Sequence, residues 1–444
     1  MVRLFKSLHL STRFFQVLFS VAILFVIGFL VPVISALAQI ALAAFVALTI
    51  FEFIMLFRIR DGITVDRLVP NRLSNGDENV ITLSIFNNYA FNCRLEIIDE
   101  LPPQFQIRDF SIRLGIVSGK AIKKNYTLRP TERGVYNFGF TICYASTTIG
   151  LVLKKYELNE ETEVKVYPSF IQMRKFELYA ISNRLTDIGI KKIRRIGHTM
   201  EFDQIRDYVR GDDVRSINWK ATARANSLMI NQYQDEKSQQ VVNVIDMGRV
   251  MKMPFDGLHL LDYAINTSLV ISNIALLKED KAGLVTFSNN KSVVVKPEKK
   301  RTHIQRIQET LYNLETDFLE SDYEKLLISL RAHVRQRSLV LLYTNFENYS
   351  SMERQLPFLQ RIAKDHLLVT VFFENTELST LLEMSPSKVG DIYTKTIAEQ
   401  FNYEKKQIVK ALNQRGIHTI LTPPKELSVN AINKYLELKA RGLI

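Results

Sequence analysis

Leu367-Leu368-Val369-Thr370-Val371-Phe372-Phe373 is an almost unbroken apolar run. A strand covered on one face alternates apolar and polar residues; a strand covered on both faces does not. Val340-Leu341-Leu342-Tyr343 reads the same way. Two such strands predict a mainly parallel sheet with helices on each side. Working outward, strands are predicted at Val241–Asp246, Gly283–Ser288, Lys291–Lys296, Leu339–Asn345, His366–Glu374 and Ile417–Leu421. Helices are predicted between and after them, at Leu258–Lys278, Arg301–Leu314, Tyr323–Arg335, Ser351–Ala363, Thr396–Gln414 and Leu427–Ala440. The strands flanking Ser288-Asn289-Asn290-Lys291 are close enough for a hairpin, which predicts one antiparallel edge strand. Residues 239–444 therefore read as an α/β domain.

Residues 169–238 upstream are polar, strongly charged and weakly periodic, and read as a connector. Before them, residues 61–168 carry short strand runs: Val80–Phe86, Arg94–Ile98, Ile107–Leu114, Lys123–Leu128, Tyr136–Tyr144 and Val164–Tyr167. Turn chemistry separates the runs at Ser74-Asn75-Gly76-Asp77, Leu101-Pro102-Pro103, Ser118-Gly119 and Arg133-Gly134, which predicts a small β-sandwich. Cys93 and Cys143 both lie here and read as buried, reduced thiols.

Between Arg13 and Arg58, 36 of 44 residues are hydrophobic and Glu52 is the single charge. One helix of that length would run about 66 Å, twice a hydrocarbon core of about 30 Å. Two spans are predicted, near residues 14–31 and 36–57, with Val31-Pro32-Val33-Ile34-Ser35 as the turn because proline interrupts a helix. A cleaved signal peptide ending at Ala36-Leu37-Ala38 is the competing reading, but the apolar run exceeds an ordinary signal core of about 7–15 residues. Arg3, Lys6 and Arg13 precede the first span and Arg58, Arg60 and Arg67 follow the second, so both ends are expected in the cytoplasm. Glu52 is expected to face the partner helix or the interface, in a structural role.

The 47% hydrophobic share of the 444 residues excludes a largely disordered chain, and 12 prolines with 17 glycines exclude a collagen-like one. Two cysteines make no disulfide framework, and no Cys/His cluster has zinc-ligand spacing. No G-x-S-x-G, H-E-x-x-H, Walker-type or G-x-G-x-x-G pattern occurs, and the seven histidines are scattered. Residues 1–60 hold five Lys/Arg against Glu52, so +8 of the net +12 lies beyond the apolar hairpin. Arg184, Lys191, Lys192, Arg194 and Arg195, answered only by Asp187, read as a solvated face with anionic lipid as the sharper alternative. Nucleic acid is not expected, because no aromatic interleaving accompanies the charge.

In an open α/β sheet, ligands sit beyond the carboxyl ends of the strands. Asp246 ends the first strand, Asn345 ends the fourth, and Ser321-Asp322 precede a helix. Grouped oxygens of this kind suit Mg²⁺, while helix capping by Ser321 or Asp322 and a turn role for Asn345 explain them equally. The densest polar stretch runs from Glu201 to Arg224 and contains Trp219, the single tryptophan. Arg206, Arg210, Arg215 and Arg224 alternate there with Asp203, Asp207, Asp212 and Asp213, favouring bidentate ion pairs. Gly211 permits a sharp turn. A salt-bridged connector and a docking surface anchored on Trp219 remain even readings.

Arg206-Asp207-Tyr208-Val209-Arg210-Gly211-Asp212-Asp213-Val214-Arg215-Ser216-Ile217-Asn218-Trp219-Lys220-Ala221-Thr222-Ala223-Arg224 resembles the R-x-Y-x-x-G-D-D-x-R-x-I-x-W-x-A-x-A-R signature of the bacterial "domain of unknown function 58" proteins. Arg129–Tyr136 and Thr148-Ile149-Gly150-Leu151 are similar to further landmarks of that family. The resemblance implies two N-terminal transmembrane helices, a β-rich segment, the signature, and a von Willebrand factor A-like domain over 239–444. It also implies a non-enzymatic inner-membrane protein working beside a MoxR-type AAA+ ATPase in a chaperone-like or assembly system. Arg206, Tyr208, Gly211, Asp212, Asp213, Arg215, Trp219 and Arg224 are the positions carried over as signature or docking residues.

The metal site of A-like domains reads D-x-S-x-S, whereas this chain has Gly248 and Val250 after Asp246. With Ser321 and Asn345 left to complete it, neither a tight Mg²⁺ site nor another cofactor is expected. Two alternatives stand beside the adaptor: a metal-dependent adhesion module or hydrolase centred on Asp246, and a lipid or polysaccharide binder using the sandwich.

Overall fold

Val31 alone separates two apolar helices, α1 (Thr12–Leu30) and α2 (Pro32–Phe57). Both are long and apolar enough to cross a membrane. The turn expected over Val31–Ser35 shrinks to one residue because Pro32 occupies the first position of α2, where its missing N–H has no partner to lose. The spans thus become 12–30 and 32–57. Gly28 allows the two chains to meet closely, since a Cβ there would lie 2.8 Å from Ser35 Cα.

The structure, a computed structural model, describes residues 7–181, 189, 200–235, 238–316, 318–375 and 389–444. The basic cluster at 184–195 lies outside the described residues. The chain divides into two compact units, Met1–Tyr167 and Pro168–Ile444.

In the first unit, β1 (Leu8–Leu10) precedes α1, and ten strands follow α2. They are β2 (Ile63–Leu68), β3 (Arg72–Ser74), β4 (Asn79–Asn87), β5 (Cys93–Asp99), β6 (Ser111–Ile116), β7 (Ala121–Leu128), β8 (Gly134–Phe138), β9 (Thr141–Ser146), β10 (Val152–Leu158) and β11 (Thr162–Tyr167). One sheet has the order β1-β10-β9-β5-β6; the others are β2-β4-β7 and β3-β11-β8. Ile63, Val65, Leu83 and Ile85 of β2 and β4 pack with Leu95, Ile97, Cys143 and Ala145 of β5 and β9, making the core. Cys93 and Cys143 are free, and burial pushes both thiols up to about 12. The strand expected over Tyr136–Tyr144 is broken at Gly139-Phe140, and the one expected from Ile107 starts at Ser111.

The helical hairpin is bolted into this sandwich. Glu52 is fully buried, and its carboxylate accepts backbone N–H groups from Gly150 (2.8 Å), Leu151 (2.7 Å) and Val152 (3.0 Å), together with the Thr147 hydroxyl. It therefore faces the loop between β9 and β10 rather than the partner helix. Two residues past this loop, Lys154 donates to the carbonyls of Leu56 (3.2 Å), Ile59 (2.6 Å) and Arg60 (3.1 Å). A lysine there caps the free carbonyls and complements the negative end of the α2 dipole. Tyr89 adds a hydroxyl donor to Leu56 O at 2.6 Å. From the other side β1 pairs antiparallel with β10, and Ser11 N donates to Leu151 O at 3.0 Å.

In the second unit, β14 (Gln240–Asp246), β15 (Lys281–Phe287), β16 (Ser292–Glu298), β17 (Leu339–Tyr343), β18 (Leu367–Phe373) and β19 (His418–Thr422) form one sheet. (β12 and β13 belong to the signature, below.) Their order is β16-β15-β14-β17-β18-β19, with β16 antiparallel at the edge and the rest parallel. Val241, Ile245, Leu341 and Val369 face one side, and Val242, Val244, Leu342 and Leu368 the other. This strict period of two within continuous apolar runs is what double coverage requires. Helix α5 (Leu260–Leu277) has the length and composition of a membrane span, but it packs in the first of these cores. Phe170–Ile181, read as part of a connector, is a helix (α3) packed on α5 through Phe176. The remaining helices are α4 (Trp219–Ala225), α6 (His303–Tyr312), α7 (Tyr323–His333), α8 (Tyr349–Asp365), α9 (Val389–Gln414) and α10 (Leu427–Ala440).

Glu52→Ala removes the acceptor for three buried amides. The expected loss is about 2 kcal/mol or more, the penalty for stranding buried donors. Glu52→Gln keeps one acceptor oxygen and should lose less. Thermal unfolding of the full chain in detergent measures both.

Candidate functional site

The signature folds on its own backbone pairing. β12 (Met200–Asp207) and β13 (Met229–Asp235) form an antiparallel ribbon, and α4 sits between them in sequence. Arg206 holds Asp212 in a bidentate pair, Nη1–Oδ2 at 2.9 Å and Nη2–Oδ1 at 2.8 Å. Val209 N also donates to Asp212 at 2.9 Å, closing the turn that Gly211 completes at φ +116°. The Arg206 guanidinium, helped by that amide, holds the Asp212 carboxyl below its ordinary range. Asp213 accepts from Arg215 N at 3.0 Å, and Asp207 accepts from the Ser227 hydroxyl at 2.9 Å. Asn218 caps α4 by accepting from Ala221 N at 3.0 Å. Tyr208 is half-buried and its N–H donates to Leu228 O at 2.7 Å.

Asp207, Asp212 and Asp213 are thus used internally. Among the described residues Arg210, Arg215 and Arg224 enter no ion pair. Trp219 is 70% exposed, with Val209 and Val214 exposed in the same segment.

The second constellation lies at the carboxyl edge of the six-stranded sheet. Asp246 is 1% exposed. One of its oxygens accepts from Gly248 N at 2.8 Å and from the Ser321 hydroxyl; the other accepts from Thr344 Oγ1 at 2.6 Å. Tyr323 Oη shares a hydrogen bond with Thr344 Oγ1 at 2.8 Å. Burial pushes the Asp246 carboxyl above its ordinary value, and the bonds from Ser321, Thr344 and Gly248 work against that. Ser321 is therefore an Asp246 partner, and Asp322 is the cap of α7, accepting from Glu324 N and Lys325 N.

The two departures from D-x-S-x-S have physical reasons. A Cβ on Gly248 would sit 2.3 Å from Ser321 Oγ and 3.0 Å from Leu319 O, so a serine there displaces the serine already bound to Asp246. Val250 packs against the sheet core. Among the described residues no three His, Cys, Asp or Glu side chains are grouped for a metal.

Asn345 lines the same cavity as Asp246 but makes no hydrogen bond to it. Its Oδ1 accepts from Lys405 Nζ at 2.6 Å, and Lys405 also donates to Phe346 O at 2.6 Å. Sequence reasoning passed over Lys405, one lysine in a charged helix. Its signal was positional: it falls on the stripe of Ala398, Ile408 and Leu412, the buried side of α9. Burial pushes the Lys405 amine down to about 8, while Glu347 pulls it back up. Two cavities open here. One of about 250 Å³ is lined by Asp246, Ser321, Thr344 and Arg354; the other, of about 280 Å³, is lined by Lys405, Glu347, Glu374 and several apolar side chains.

Two outcomes follow. Titration calorimetry with Mg²⁺ should show no binding, because the Asp246 oxygens are already held by protein donors; micromolar affinity would refute it. Lys405 sets a pH dependence whose sign is fixed. Below pH 8 both folded and unfolded chains carry the ammonium, and its burial costs stability. Between about pH 8 and 10.4 the folded chain releases the proton while the unfolded chain keeps it, so stability rises with pH. Relative to Lys405→Met, the wild type should gain up to about 3 kcal/mol across that window in chemical denaturation.

Among solved structures, the chain is similar to the CARDB domain of the PF1109 protein from Pyrococcus furiosus, at 13% identity and a TM-score of 0.18, covering 23% of this chain and 86% of that one. It is also similar to the ASH/PapD-like domain of human CEP192, at 14% identity and a TM-score of 0.18, covering 23% and 84%. No curated protein matches. Residues 204–410, from the signature ribbon through most of α9, match the family described as "Protein of unknown function DUF58", which supports the family to which the Arg206–Arg224 signature points.

Proposed function

We propose that this protein is a membrane-anchored, non-enzymatic adaptor whose α/β domain and signature ribbon bind a partner protein. The partner is a MoxR-type AAA+ ATPase, and the setting is an assembly or chaperone-like system at the bacterial inner membrane. The observation that carries this reading is the signature itself: Asp207, Asp212 and Asp213 are spent internally, while Trp219 is exposed in the same segment as Arg210, Arg215 and Arg224. Trp and Arg are the side chains that dominate interface energetics.

The von Willebrand factor A-like assignment draws support from the sheet order. Counted within the domain it is 3-2-1-4-5-6, the doubly wound arrangement that gathers binding residues at one edge. Multi-pass topology with a cytoplasmic body draws support from the hairpin. β1 before the first helix and β10 after the second pair directly, so both ends of the hairpin lie on one side of any membrane it crosses. With the Asp246 oxygens engaged by Gly248, Ser321 and Thr344, the adaptor reading is preferred over a metal-dependent adhesion module.

Affinity purification of the full chain from native membranes should recover the ATPase. Trp219→Ala should lower that recovery at least tenfold, as for an interface anchor contributing about 2 kcal/mol. Recovery of no ATPase, or recovery unchanged by the substitution, overturns the proposal.

A further inference from the structure

The second cavity at the sheet edge, about 280 Å³, is walled by Phe255, Leu260, Phe373 and Phe401, and Lys405 enters it from α9. Apolar walls with a few convergent polar groups, beyond the carboxyl ends of α/β strands, are the ordinary form of a small-molecule site. We infer that this cavity takes up a small apolar aldehyde and that Lys405 holds it as a reversible imine.

The stereochemistry of the amine carries the argument. Lys405 Nζ donates to Asn345 Oδ1 and to Phe346 O, both at 2.6 Å. A neutral amine has two N–H groups and one lone pair. With both N–H groups engaged by the β17–α8 loop, the lone pair is the tetrahedral position that no hydrogen bond takes, with the Phe372 ring 5.8 Å from the nitrogen. Two acidic side chains, Glu347 and Glu374, also line the cavity. They disfavour a carboxylate or phosphate ligand, whereas an uncharged carbonyl meets no repulsion. The reactive form is available: an amine lowered to about 8 is about one-tenth neutral at pH 7, against about one part in 2,500 for an ordinary lysine.

The step balances without a further reagent. The nitrogen lone pair attacks the carbonyl carbon, a proton passes from nitrogen to oxygen, and the carbinolamine hydroxyl leaves as water after protonation by solvent. The iminium keeps one N–H, which Asn345 or Phe346 can still accept. Hydrolysis reverses it, so uptake is stoichiometric and needs no turnover.

The test uses the full chain in detergent, hexanal as the probe, sodium cyanoborohydride to trap the imine, and peptide mass spectrometry to locate it. Lys405 should be alkylated at least about tenfold faster than the median lysine at pH 7, reflecting its larger neutral fraction. The advantage should shrink as pH rises past 8, where other lysines begin to deprotonate. Phe401→Ser removes an apolar wall at the exposed rim of the cavity and brings no charge to Lys405, one helical turn further on. It should slow trapping of hexanal at Lys405 about fivefold or more while leaving trapping of formaldehyde, which has no apolar tail, unchanged. Labelling of Lys405 at the rate of surface lysines overturns the inference. So does a Phe401→Ser variant, melting like the wild type, that treats the two aldehydes alike.

Discussion

A carboxylate set into an apolar helix decides how the first unit is assembled. Glu52 has no use for a hydrocarbon environment, and burial without partners would cost several kcal/mol. The β9–β10 loop supplies three backbone amides and a hydroxyl, so the α2 helix meets the sandwich at one rotation and one depth. Lys154 repeats the logic with opposite sign on the carbonyls that close α2. A 26-residue helix is about 39 Å long, more than a hydrocarbon core of about 30 Å needs, and both contacts use its last two turns. Thr147 to Val152 thus has a physical purpose: it is the receptacle of the helix.

The second unit applies the same rule at its sheet edge. Asp246 and Lys405 sit where an open α/β fold exposes a ligand site, and each is hydrogen-bonded by uncharged groups of neighbouring segments. Gly248 is essential to that arrangement through what it lacks, because its missing Cβ leaves room for Ser321 against Asp246. The two groups differ in what remains available. The Asp246 oxygens are taken up by donors from three segments, whereas the Lys405 nitrogen retains one position without a hydrogen bond.

Much of this was legible in advance where one physical signal ruled. The α/β strands and helices followed from period and length, because a sheet covered on both faces leaves little latitude. The hairpin followed from composition. The sandwich was read less well. Val152–Leu158 was missed because Lys154 and Lys155 interrupt its apolar pattern, and nothing local announces that Lys154 points inward to a helix end. Leu8–Leu10 is too short to signal, and its pairing with β10 is a long-range event. The expected 31–35 turn failed because proline's meaning depends on position: inside a helix it breaks, at the first residue it begins one. Lys405 was invisible for a similar reason, since a lysine on the buried stripe matters only once Asn345 and Phe346 are brought to it.

The pairing of β1 with β10 also has a consequence in time. During synthesis the apolar hairpin emerges first, whereas its receptacle at 147–152 follows nearly a hundred residues later, roughly 5–20 s at ribosomal rates. Until then Glu52 and the first strand have no native partners. The helices must therefore be lodged before the contacts that orient them exist, and the newly folded sandwich afterwards draws them into register. Biogenesis of this chain thus places the apolar hairpin before its receptacle, with the sandwich setting the pose of the helices that preceded it.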